Sequence, residues 1–126
     1  DQPSAALVTD LKQRGLLDST LVHWGGEIGR LPVCEGALDD NAGRDHNGQG
    51  FSIWMAGGGI RGGLTYGETD EVGHKATVNV VTPNDFQATV LHLFGLSADK
   101  LLYHSNGRAE RLIESSASRV VSEVLA

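Results

Sequence analysis

Two short apolar runs, Leu21–Trp24 and Phe51–Ala56, bracket a polar, glycine-rich stretch from Gly25 to Gly50. Each run is too short for a stable helix and stops at glycine, so both read as strands, over 20–25 and 51–56, whose ends open onto loops. The first breaks at Gly25-Gly26 and delivers one carboxylate, Glu27, to an open sheet end, where α/β enzymes place their sites. The intervening stretch is too long for an ordinary connection, and long loops are often functional. It supplies an adjacent Asp45 and His46 before the second run returns to the core. A carboxylate and an imidazole can therefore meet at one rim. The near-continuous apolar character of Phe51–Ala56 suits a strand buried on both faces of a parallel sheet.

Helical patterns flank these runs. Leu7, Val8, Leu11 and Leu16 recur at helical spacing over residues 3–16, with Pro3 allowed in the first turn and Gly15 closing the end. Residues 64–80 read as a β-excursion, in which Leu64-Thr65-Tyr66 and His74–Val81 flank an acidic turn at Glu68-Thr69-Asp70-Glu71. Thr82-Pro83-Asn84-Asp85 begins a second helix, to residue 94, with Thr82 as N-cap, Pro83 at the first position and Asp85 near the positive helix end. Its expected buried stripe is Phe86, Val90, Leu93 and Phe94. A last amphipathic helix is expected near 115–125, burying Val120, Val121, Val124 and Leu125. Strand, long loop, strand and helix indicate α/β architecture.

The strings Trp24-Gly25-Gly26-Glu27-Ile28-Gly29-Arg30, Gly43-Arg44-Asp45-His46-Asn47, Gly57-Gly58-Gly59-Ile60-Arg61-Gly62-Gly63 and Asn84–Leu93 occur in one order over nearly the whole chain. In this the chain resembles the C-terminal part of the domain-of-unknown-function 1501 family, sulfatase-like proteins of the alkaline phosphatase superfamily. The resemblance implies the C-terminal portion of an alkaline phosphatase/sulfatase-like sheet flanked by helices. It further implies a metal-dependent hydrolase acting on sulfate or phosphate esters, small or glycan-borne, with export to the periplasm or cell surface. Glu27 matches an acidic metal ligand of the superfamily and His46 a downstream ligand. Asp45 would bind metal itself or orient the His46 ring, and Arg44 would contact the anionic substrate. The ion would be divalent, Zn, Ca or Mg. Family members are several times longer, so the nucleophile, the other ligands and the rest of the sheet are expected upstream, and this stretch alone is expected to be inactive.

Blander readings stand beside these. Glu27 can pair with Arg30 or cap a loop, His46 can be a solvated loop histidine, and Arg44 can bridge to Asp45 or Asp40. Ile28 cannot coordinate anything where the superfamily string has His or Asn, which favours a metal-free sulfatase-fold binding or structural module. Gly57-x-Gly59-x-x-Gly62 follows a strand as a dinucleotide fingerprint does, but no helix follows it to meet a pyrophosphate, so these glycines are assigned to backbone geometry. His23 is expected in the core, and His74, His92 and His104 lack partners at ligand spacing. Cys34 is the only cysteine, which excludes an internal disulfide. The charge of −6, from 10 basic and 16 acidic residues, argues against nucleic acid as a partner. No apolar run approaches a membrane span.

Overall fold

The computed structural model describes residues 1–34, 36–113 and 118–126. It is mixed α/β, with two α-helices and paired antiparallel strands, and forms two compact units, Asp1–Val80 and Val81–Ala126.

In the first unit helix α1 covers Gln2–Gln13, opened by Asp1 as N-cap and followed by Gly15 in the left-handed region (φ +68°). Strand β1 (Val22–Trp24) pairs with β4 (Trp54–Ala56), so the two apolar runs do share a sheet. The pairing is antiparallel, with Val22 opposite Ala56, His23 opposite Met55 and Trp24 opposite Trp54. This corrects the expectation of a parallel strand buried on both faces. Phe51, Ile53 and Trp54 are exposed, because the sheet is a two-stranded ribbon rather than the interior of a larger one. His23 is likewise exposed rather than in the core.

The glycine string after β4 does serve backbone geometry. Gly57, Gly58 and Gly59 all have positive φ (70°, 52° and 88°), and the Gly58 N–H donates to the Leu17 carbonyl at 3.0 Å. A Cβ on Gly58 would fall 2.8 Å from the Leu21 Cα, so the turn folds flat beneath the start of β1.

Within the long polar stretch, β2 (Gly29–Arg30) pairs with β3 (His46–Asn47). The excursion is a hairpin of β5 (Glu68–Thr69) and β6 (Ala76–Val78), so its first strand lies later than Leu64–Tyr66, and Glu68 and Thr69 of the expected acidic turn belong to the strand. Short two-residue strands carry no alternation from which to locate them.

In the second unit α2 covers Pro83–Leu93, with the Thr82 hydroxyl accepting from the Asp85 N–H and the Asp85 carboxylate accepting in return from the Thr82 N–H. Its buried face is Asp85, Ala88 and Thr89; Phe86, Val90 and Leu93 are only half-buried and Phe94 is exposed. The expected stripe is displaced because an extended segment, not an apolar layer, packs on this helix. The Asp85 Oδ1 accepts from the Arg119 N–H at 2.8 Å, and the Thr89 hydroxyl accepts from the Val121 N–H at 2.9 Å while donating to the Asp85 carbonyl. Four helical residues rise about 6 Å and two extended residues about 6.6 Å, so the two acceptors match alternate amides.

The expected helix over 115–125 is corrected in its described part: residues 118–121 are irregular and Ser122–Val124 make one 3-10 turn. Positions 115–117 lie outside the described residues. The segment gives its amides to α2 instead of to an i→i−4 ladder of its own. A last hairpin pairs β7 (Leu102–Ser105) with β8 (Arg108–Arg111) around Asn106-Gly107, both at positive φ.

Candidate functional site

The β2–β3 ladder forms because its backbone fits closely and a buried amide anchors it. A Cβ on Gly29 would lie 2.8 Å from the Phe51 Cβ and 3.1 Å from the Asn47 carbonyl oxygen, so only glycine admits this approach. Across from it Asn47 is 2% exposed. Its Nδ2 donates to the carbonyls of His74 (2.8 Å) and Gly73 (3.3 Å), and its Oδ1 accepts from the Gln49 N–H at 2.9 Å. The Gln49 carbonyl in turn accepts from Ala76, tying the ladder to the β5–β6 hairpin. Asp70 shapes the facing turn by accepting from the His74 N–H at 2.7 Å and the Lys75 N–H at 3.3 Å. The His74 amide, above all, holds the Asp70 carboxyl below its ordinary range.

This frame positions the residues singled out from the sequence. His46 lies on β3 with its side chain 65% exposed. Asp45 precedes it; its Oδ1 accepts from the His46 N–H at 2.7 Å and stands 3.8 Å from the His46 Nδ1. Glu27 is exposed and lies before the ladder, whose register sets Arg30, not Glu27, opposite His46. The carboxylate of Asp45 and the ring of His46 thus lie near each other, while Glu27 falls ahead of β2, outside the ladder. Arg44 is exposed, and among the described residues it bridges to neither Asp40 nor Asp45. Glu27 likewise makes no ion pair with Arg30 among those residues.

The donor set can be tested against a divalent ion. Structural zinc takes four protein ligands, catalytic zinc three with an open position, and calcium or magnesium six or more oxygens counting water. Among the described residues no group of three or more His, Cys, Asp or Glu could hold a metal ion. Glu27, Asp45 and His46 therefore do not by themselves fit a closed metal site. The exposed imidazole and the adjacent carboxylate can bind or relay a proton, and can furnish part of a coordination sphere completed by other groups.

Sequence reasoning missed Asn47 as the anchor of this site. Its carbonyl partners lie 26 and 27 residues away, and an asparagine in a polar loop carries no signal of such contacts. Cys34, half-buried, is a free thiol. No helix among the described residues is long and apolar enough to cross a membrane.

A family model described as a protein of unknown function (DUF1501) matches residues 1–125. No curated protein and no solved structure matches the chain.

Proposed function

This chain belongs to the DUF1501 family of proteins of unknown function, and from that premise we propose that it is part of a metal-dependent, sulfatase-like hydrolase acting on sulfate or phosphate esters. In this reading its strands are the C-terminal portion of an alkaline phosphatase/sulfatase-like sheet, and the protein is exported. The observation that carries the reading is the Asp45–His46 pair, held on a ladder whose buried Asn47 fixes the backbone while the imidazole stays open to solvent. A site built on an anchored backbone presents its groups at defined positions. Glu27 and His46 are the proposed metal ligands, Asp45 a ligand or the carboxylate that orients the ring, and Arg44 the contact to the ester's anionic group. A bound divalent ion would polarise a sulfate or phosphate oxygen. Because three donors do not converge among the described residues, the remaining ligands and the nucleophile belong in this proposal to an N-terminal part of the same domain.

The test uses the longer protein containing that part. Glu27→Gln and His46→Ala are each expected to remove bound divalent metal and aryl sulfate or phosphate hydrolysis together, measured by elemental analysis and chromogenic assay. Arg44→Ala is expected to raise KM and leave metal content intact. Protein with no stoichiometric divalent metal, and no ester hydrolysis after metal addition, would refute the enzyme reading. The second reading, a metal-free binding or structural module at the cell surface, is favoured by Ile28 in the string that otherwise supplies a ligand beside the acid.

A further inference from the structure

Two arginines, Arg30 on β2 and Arg44 just before β3, meet at the ladder without an ion pair among the described residues. The ladder's register places Arg30 opposite His46, and opposed residues of an antiparallel pair project to the same face. Arg44 lies two residues before His46, just ahead of β3, and Asp45 between them keeps its carboxylate 3.8 Å from the His46 Nδ1. The Arg30 side chain extends toward Arg44: its Nη1 lies 3.5 Å from the Arg44 carbonyl oxygen, a long contact that places the guanidinium without holding it tightly. Arg30 and Arg44 are both exposed, and neither forms an ion pair among the described residues, although acids outnumber bases 16 to 10 in the chain. Asp45, next to Arg44 in sequence, directs one carboxylate oxygen to the His46 N–H. A guanidinium that reaches the backbone of a second arginine adds its charge to that residue's attraction for an anion.

We infer that Arg30 is a second anion-binding residue, which with Arg44 grips the tetrahedral sulfate or phosphate group of the ester. The substrate class rests on the hydrolase reading; the anion site itself needs no metal. A guanidinium presents a planar fork of N–H donors that matches two oxygens of such a group, so two forks can hold it from two sides. That leaves His46 free for its own role and fixes the anion beside the imidazole.

The experiment measures inorganic phosphate binding to the longer protein by titration calorimetry, with and without chelator, for the wild type, Arg30→Gln, Arg30→Lys, Arg44→Gln and, as a control in the glycine turn, Arg61→Gln. Arg30→Gln is expected to weaken binding about tenfold or more, the loss of one charge-assisted fork. Arg30→Lys should fall between it and the wild type, because an ammonium keeps the charge without the fork. Arg61→Gln and the thermal midpoint of every variant should be unchanged. Wild-type affinity in Arg30→Gln, an equal loss in Arg61→Gln, or no phosphate binding by the wild type would each overturn the assignment. The outcomes separate from those of the hydrolase test. Phosphate binding that needs Arg30 in a protein without metal or hydrolysis supports the anion site and sinks only the enzyme reading. Hydrolysis with phosphate affinity untouched by Arg30→Gln does the reverse.

Discussion

Asp85 shows how much one buried carboxylate can organise. It accepts from the Thr82 N–H and hydroxyl on one oxygen, at 2.9 and 2.7 Å, and from the Arg119 N–H on the other. Burial alone would push its pKa up, but those hydrogen bonds and the Arg119 charge outweigh it and hold the carboxyl below its ordinary 3.8. A depressed folded pKa contributes stability that is present above the unfolded value and is lost as pH falls through the folded one. Asp85→Asn is therefore expected to lower unfolding stability at neutral pH by about 1–3 kcal/mol, because an amide leaves one amide donor facing another. The same variant should lose less stability on acidification below about pH 4 than the wild type does. Urea titrations of both proteins across that range check it. The cap itself was legible in Thr82-Pro83-Asn84-Asp85, since capping is local in sequence. The clip to Arg119 was not, because its partner lies 34 residues away.

At the scale of elements, the apolar runs were legible as strands, while their direct pairing and its direction were not. Continuous apolar character reports what a strand could bury, not which way its neighbour runs. The minimal β2–β3 ladder was hidden inside what reads as one polar loop, and the Arg44, Asp45 and His46 residues gained a frame only through it. Asn47 couples that ladder to the β5–β6 hairpin through donors that no backbone group replaces. Asn47→Ala is expected to cost about 1–3 kcal/mol, from buried carbonyls left unpaired. Hydrogen exchange should speed up together at Gln49, His74 and Ala76, while α1 amides keep their rates. Unchanged exchange at Ala76 would show that the two elements are not coupled in this way.

At the scale of the whole molecule, the distribution of apolar surface is the dominant fact. The first unit has no large apolar side chain fully buried among its described residues, and Leu7, Trp24, Phe51 and Trp54 all stand exposed. Trp24 and Trp54 stack at 6.5 Å with planes 10° apart and line a cavity of about 560 Å³ with Ala5 and Val8. Exposed apolar patches of this kind mark surfaces that another body covers, as the proposed N-terminal part of the same sheet would do. Tryptophan emission of residues 1–126 alone is expected at long wavelength and open to acrylamide quenching. In the longer protein it should move to shorter wavelength with weaker quenching; equal spectra would mean that nothing covers this face. The second unit buries Ala88, Ile113 and Val121, and it fastens its last stretch by a different logic. Because α2 receives the backbone N–H groups of residues 119 and 121, evolution is left unequal freedom on the two partners. Helix positions 85 and 89 must keep acceptors, and position 121 must stay small and apolar. At position 119 the backbone clip asks only for an amide hydrogen, which among the twenty forbids proline alone, while the Arg119 side chain separately pairs with Glu123 at 3.2 Å.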